Sequence, residues 1–205
     1  KSKINKHRTV LVRCLLIFTN APHLFYKGKC ITEKTSMIEV AKPEDAARIA
    51  YVRHETWLAT YPNAEAGVTR EDIFAKDFQS EDQIDRWRRG IESTKGTRKI
   101  WVARNEAGEV VGYGQGLKRE TENEIGGMYV LPAYQGRGLG NKLMGAVIDW
   151  LGNDKPIALS VAVYSLQARE LYKKFGFIDV DEPGAGPIFA SGATATSIKM
   201  VRPKQ

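Results

Sequence analysis

The sequence predicts an α/β fold, with one mixed central β-sheet and helices on both of its faces. Three observations carry this prediction. Strand-like and helical segments succeed one another from Met37 onward, an order that layers helices over a sheet. Three consecutive strand-like runs in mid-chain read as an antiparallel meander, whereas the later runs are separated by helical segments, so the sheet mixes strand directions. A length of 205 residues at 42% hydrophobic composition supplies one substantial core and gives no reason for two domains.

The elements follow in order. "SMIEVA" reads as a short strand. Pro43 suits a first helical turn, and "PEDAARIAYVRHETW" repeats apolar residues at helical spacing, which predicts a helix from about Pro43 to Leu58. "TYPNAEAGVT" is a loop. "REDIFAKDF" is a short helix and "SEDQIDRWRRGIEST" a longer one, with Ser80 as N-cap and Gln83 three residues on to complete a capping box. "RKIWVARN" and "EVVGYGQGLKR", parted by the turn signal "EAGE", form an antiparallel hairpin, and "NEIGGMYV" pairs back against it. A helix from Gly138 to Trp150, a strand "PIALSVAV", a helix "LQARELYKKF" and a strand "GFIDVD" come next. "GATATSIKMV", reached through the long loop "EPGAGPIFAS", is the last strand.

The first 36 residues differ in character. The formal charge of +7 divides unevenly: residues 1–36 hold eight Lys or Arg and one acidic residue, leaving 23 of each sign in the remainder. Residues 1–36 therefore read as a basic extension, whether a solvated tail, a phosphate-binding arm or an expression remnant, and residues 37–205 as the single folded domain. Neither zinc-finger spacing nor an RNA-binding aromatic motif accompanies the charge, so nucleic acid is not the expected partner. The apolar run "TVLVRCLLIFTN" reads as a candidate extra strand or helix; Arg13 interrupts it, and it is far shorter than the roughly 20 residues that cross a bilayer. Its basic start imitates a secretory leader, but Arg13 and the missing small-residue cleavage site argue against export. Cys14 and Cys30 are too few for a disulfide framework and read as reduced thiols in a cytoplasmic protein. With His7, His23 and His54 scattered, no metal set assembles.

The stretch "VLPAYQGRGLGNKL" leaves a strand, passes Gly136, Gly138 and Gly140, and enters a helix. Free backbone N–H groups converge at such a helix start and the helix dipole favours negative charge there, so it suits a polyphosphate. The Walker loop does not fit, because no Lys followed by Ser or Thr closes the turn. Nor does the dinucleotide fingerprint, which puts glycine where Asn141 stands. Glycines that only permit a tight turn and close helix packing are the structural alternative.

At these residues the chain resembles the GNAT superfamily of N-acetyltransferases. The family pattern Q/R-x-x-G-x-G/A is matched by Gln135, Gly138 and Gly140, with Pro132, Tyr134, Gly136 and Arg137 filling out the string. "SLQARELYKKFGF" is similar to a second signature, N-x-x-A-x-x-L-Y-x-x-x-G-F, with Ser165 where the family has Asn. The resemblance implies acetyl-coenzyme A as cofactor, with no metal. Its pyrophosphate would lie on the turn Gln135, Gly136, Arg137, Gly138, Leu139 and Gly140, and its pantetheine between two splayed parallel strands, "GGMYV" and "ALSVAV", against Met128, Tyr129 and Val130. Ser165 would donate to the same arm. Tyr172, two turns after Ser165 on one helix, falls at the family's general-acid position; its ordinary pKa of about 10 keeps it protonated at neutral pH. Glu124 falls where many relatives carry a base acting through water, although a solvated strand-edge glutamate explains it equally. His54, Trp57 and Tyr61 fall where relatives form one wall of the acceptor pocket, and core packing is the alternative for Trp57. The acid-rich helices "REDIFAKDF" and "SEDQID" could draw in a cationic amine or be solvated faces.

The implied reaction is acetyl transfer to a primary amine of a small molecule or peptide. "WLATY" is similar to a bacterial subgroup that includes polyamine acetyltransferases, and a protein N-terminal or lysine acetyltransferase stays open beside it. Ser165 in place of Asn also leaves open a non-catalytic acyl-coenzyme A sensor, and a homodimer is compatible with all of these.

Overall fold

The computed structural model describes residues 25–26, 29–30, 37–93, 95–184 and 186–205. Cys14 and the apolar run at 9–20 lie outside them. The chain divides into two compact units, Lys1–Lys34 and Thr35–Gln205. In the first, β1 (Phe25–Tyr26) pairs antiparallel with β2 (Lys29–Cys30).

The second unit holds seven strands: β3 (Met37–Val40), β4 (Arg98–Arg104), β5 (Val110–Leu117), β6 (Asn123–Val130), β7 (Ile157–Ala162), β8 (Ile178–Gly184) and β9 (Ser197–Arg202). Their order across the sheet is β3-β4-β5-β6-β7-β9-β8. Only β6 and β7 run parallel, so the sheet is mixed as the sequence predicts. Among the described residues five helices accompany it: α1 (Ala46–Thr60), entered through a 3-10 turn at Pro43–Asp45, α2 (Arg70–Phe74), α3 (Glu81–Glu92), α4 (Leu139–Leu151) and α5 (Leu166–Lys174).

Side chains on β5 show how the two faces are covered, because alternate residues point to opposite sides. A Cβ at Gly114 would stand 3.1 Å from Val147 and one at Gly116 3.2 Å from Trp150, so this face lets α4 lie close on the sheet. Tyr113, next to Gly114, points the other way and meets Trp87 of α3 edge-on at 5.2 Å. The main core runs through the sheet, with Ile49 and Val52 from α1 and Leu143, Met144 and Val147 from α4 fully buried. A second cluster, Trp57, Val68, Ile73, Phe78, Phe189 and Ala195, fills the end of α1.

Two local expectations change. Ser80 begins α3 but makes no side-chain cap; its hydroxyl donates back to the Asp77 carbonyl at 3.1 Å, so the Ser80–Gln83 box does not form. A reciprocal box closes α2 instead: Asp72 N–H donates to Thr69 Oγ1 at 3.2 Å and Thr69 N–H to Asp72 Oδ2 at 3.0 Å. The last strand begins only at Ser197, because the segment before it turns to bury Phe189, with a single bridge between Ile188 and Thr194. Among the described residues no helix is long and apolar enough to cross a membrane.

Candidate active site

The site originates in a failure of strand pairing. β6 and β7 are joined only at Asn123 with Ile157 and Glu124 with Ala158, and beyond those pairs they diverge. On the other edge of β6, Gln115 opposes Gly127 and Gly116 opposes Ile125, which leaves Gly126 as an extra, unopposed residue. Such a bulge bends its strand and withdraws backbone groups from the ladder. The resulting cleft has a volume of about 970 Å³ and passes between residues 125–130 of β6 and 159–162 of β7. It is bounded by the glycine turn, the end of α1 and the start of α5.

At the glycine turn, Gly136 and Gly138 have φ of 74° and 78°, the left-handed region that disfavours any side chain. A Cβ on either would meet nothing within 4 Å, so backbone conformation explains these two glycines and the space above them is open. Gly138 is the N-cap of α4 and provides no side-chain cap, so the first-turn amides have neither an intrahelical nor a capping partner. That cradle fits a pyrophosphate. Gly140 differs: a Cβ there would stand 3.2 Å from Leu171 Cδ2, so it lets α5 approach α4. Leu139 is buried and anchors the helix start in the core. Gln135 Nε2 donates to the Val130 carbonyl at 2.9 Å, fixing the turn to the end of β6. Arg137 is exposed, stacked over Tyr134 at 5.1 Å, and is not among the cleft-lining residues.

At the start of α5, Ser165 lines the cleft and its hydroxyl makes no helix cap. Two turns on, Tyr172 is 7% exposed and also lines the cleft. Burial, and then the neighbouring Tyr129, push its phenol well above the ordinary tyrosine value. Tyr129 lines the same cleft and is the centre of a tyrosine group, its ring 5.4 Å from that of Tyr113. Tyr61, at the end of α1, is likewise raised by burial and by its hydrogen-bonding neighbour Tyr129. The Tyr164 hydroxyl donates to the Tyr61 carbonyl at 3.1 Å and holds that end of the helix against the cleft.

The residues expected in the acceptor wall separate. Tyr61 lines the cleft, whereas His54 and Trp57 do not. Trp57 packs at 4.8 Å edge-on against Phe78 within the second core, and His54 is buried 5.6 Å from Phe74. Glu124 also lies outside the lining; Arg119 Nη2 donates to its carboxylate at 3.0 Å. The acid-rich helices have local uses for their carboxylates. Asp72 caps α2, and its hydrogen bonds, that from the Thr69 backbone first, hold it below the usual carboxylate range. Asp82 and Asp85 pair with Arg86 and Arg88. Thr56, Ala59 and Tyr164 line the cleft without having been singled out in the sequence, although Tyr164 directly precedes the second signature. Among the described residues no cluster of His, Cys, Asp and Glu could hold a metal ion.

Known proteins share this fold. The model of the acetyltransferase (GNAT) family matches residues 39–177. A phosphinothricin acetyltransferase from Sinorhizobium meliloti, solved with acetyl-coenzyme A, superposes with a TM-score of 0.61 at 19% identity, covering 83% of this chain and 89% of its own. An N-acetyltransferase from Thermoplasma acidophilum, solved with coenzyme A, gives 0.59 at 17% identity over 82% of this chain and 99% of its own. A chimeric spermidine N-acetyltransferase from Vibrio cholerae gives 0.57 at 15% identity over 82% and 95%. These likenesses concern the fold. No curated protein sequence matches the chain. The family model spans both signatures and well over half of the residues, and the chain belongs to the acetyltransferase (GNAT) family, whose shared chemistry is acyl transfer from acetyl-coenzyme A.

Proposed function

We propose that this protein transfers an acetyl group from acetyl-coenzyme A to a primary amine of a small molecule or peptide, by direct attack of the amine on the thioester. The observation that carries the reading is the continuity of one cleft, with the uncapped glycine turn at one end, the splayed strands along its middle and Tyr172 in its wall. Acetyl-coenzyme A supplies an acyl carbon made reactive by a sulfur leaving group.

The turn amides from Gly136 to Gly140 hold the pyrophosphate, with the positive end of the α4 dipole behind them. Arg137 adds a cation at the turn. The backbone edge of β6 receives the pantetheine arm much as a sheet receives an added strand. Met128 carries more of that pairing than Val130, whose carbonyl already accepts from Gln135. The Ser165 hydroxyl donates to the same arm.

Tyr172 is the general acid. Its raised pKa keeps the proton on the oxygen at working pH, available as sulfur departs. With acetyl-coenzyme A bound, the amine nitrogen would bond to the acyl carbon as its bond to sulfur breaks; Tyr172 would give its phenolic proton to sulfur and regain one from solvent, and the surplus proton of the amine would leave towards solvent. Glu124, half-exposed at the last paired step before the splay, receives that proton through water. Tyr61 and Tyr129 form the wall facing the amine.

Calorimetry with coenzyme A, followed by a panel of amines assayed for free thiol, tests the reading. Saturable binding and acceptor-dependent thiol release are expected. Absence of binding at millimolar ligand overturns it, and binding without turnover on any amine assigns the protein to the sensor class instead.

A further inference from the structure

A second cavity, of about 790 Å³, lies beside the first and shares Gly126 and Tyr129 with it. Its lining is unlike that of the first: it contains Arg53, Arg86, Arg89, Arg98 and Arg119, and no Asp or Glu. These arginines come from α1, α3, β4 and the segment after β5, so the fold, not one charged stretch, brings them together. Arg86 and Arg119 pair outside the lining with Asp82 and Glu124. Among the described residues Arg53, Arg89 and Arg98 have no carboxylate partner.

Like charges around one cavity repel, and a half-buried guanidinium without a counter-ion is unfavourable. The structure nevertheless holds Arg98 in place. A Cβ added at Gly90 would stand 2.5 Å from Arg98 Nη1, so the guanidinium rests in the gap that this glycine leaves in α3. Glycine in a helix interior is unfavourable relative to alanine, and this seat is a physical reason for it. Arg98 also lies 5.9 Å over the Trp87 ring, and with the Gln115 amide oxygen turned towards it, Nε and Nη2 donate at 3.1 and 3.0 Å. Burial, and to a lesser extent the nearby Arg119, lower the pKa of Arg98, while Tyr113 acts the other way. Arg53 is stacked over Phe78 at 4.6 Å, with Nε buried and lacking a hydrogen-bond acceptor. The fold thus supplies fixed, under-partnered donors around a space large enough for a small molecule.

We infer that the acceptor is an acidic amine, a small molecule carrying a carboxylate, phosphate or phosphonate group, which this arginine cavity binds while its amino group reaches the acetyl-transfer cleft past Gly126 and Tyr129. The inference rests on the acyltransfer reading and narrows its substrate class. It also replaces attraction of a cationic amine by the acid-rich helices: α3 has acidic residues, yet it presents Arg86 and Arg89 to this cavity. Guanidinium groups suit such anions because their planar donors can bind two oxygens at once.

The test uses the full chain with size-matched amines: an acidic amino acid, its neutral amide, an aminoalkyl phosphonate and a polyamine. Thiol release gives kcat/KM for each, and calorimetry in the presence of coenzyme A measures acceptor binding directly. We expect the acidic amines to exceed the amide and the polyamine by at least about tenfold. Arg98→Gln should weaken binding of the acidic amines by about 10- to 100-fold, the usual consequence of losing a charge-assisted contact, while coenzyme A affinity is retained. Gly90→Ala is the second variant. It fills the seat of Arg98 while favouring the helix, so the melting temperature should hold or rise as acidic-amine affinity falls. A preference for the polyamine or the amide, or acidic-amine affinity unmoved by both variants, overturns the acidic-amine assignment and leaves acetyl transfer standing. No thiol release from any amine, with Arg98-dependent binding of the acidic amines, overturns acetyl transfer and leaves the anion site standing.

Discussion

Burial and chemistry both act on the hydroxyl of Tyr172, since the ring belongs to the core while the oxygen is assigned to the reaction. Tyr172→Phe keeps the ring and removes only the hydroxyl. With an acceptor in hand, kcat should fall about 100-fold or more while coenzyme A affinity and melting temperature stay close to wild type. The sign of the pKa shift adds a second readout. A raised pKa keeps the proton on the phenol above the ordinary value of about 10, so the wild-type to Phe rate ratio should stay level from pH 7 to 10. A ratio that decays in that interval, or a fully active Phe variant, contradicts the general-acid assignment. Gly138→Ala tests the turn: the left-handed backbone should cost about 1–2 kcal/mol in stability, and misplaced amides should weaken coenzyme A binding in calorimetry. Residue chemistry was legible in the sequence where spacing carries it, as in the glycines and in Ser165 to Tyr172. It was not legible for His54 and Trp57: helical periodicity puts both near the right end of α1, but only packing separates them from Tyr61. The arginines of the second cavity were harder to foresee, because they come from four segments and meet only in three dimensions.

At the scale of elements, two helix starts that look alike in sequence behave differently. Thr69 caps α2 reciprocally with Asp72, whereas Ser80 directs its hydroxyl back to Asp77, which has the positive φ of 47° that tightens the preceding turn. Thr69→Ala should therefore lower stability by about 1 kcal/mol in urea unfolding, and Ser80→Ala by less than about 0.5 kcal/mol. Equal losses would contradict the difference in capping. Asp72 provides the pH dependence of the same cap. Its depressed pKa means that its contribution is present above the unfolded value of about 3.9 and is lost as pH falls through the folded value. The stability gap between wild type and Asp72→Asn should accordingly close on acidification below about pH 4. Hydrophobic period and turn residues made the order of strands and helices legible, as for the "EAGE" hairpin. The late start of β9 was not, since it depends on Phe189 burying itself in a cluster assembled from distant segments. The divergence of β6 from β7 was implied only by family resemblance: the Gly126–Gly127 pair signals a bulge in β6, but a bulge does not say which neighbouring strand will leave.

Charge is the property that belongs to the chain as a whole, and its distribution decides what the total means. The excess of seven positive charges falls within residues 1–36, whereas the remainder carries 23 of each sign and still gathers five arginines around one cavity. A polyanion sensing net charge should therefore respond to the extension, and a small acidic amine to the cavity. All cleft-lining residues fall within the unit Thr35–Gln205. Removing residues 1–36 should leave coenzyme A affinity within about twofold and acceptor preference unaltered, and should abolish the weak, non-specific DNA retention at low salt that their charge predicts for the full chain. Each phosphate contact releases counter-ions, so that retention should also fall steeply with salt before any truncation. The decisive comparison is chromatography on immobilised DNA beside calorimetry with coenzyme A, for both lengths of the protein at matched salt. Equal DNA retention by the shortened chain would move polyanion binding to the arginines of the folded body. Lost coenzyme A affinity would make the extension part of the cofactor site.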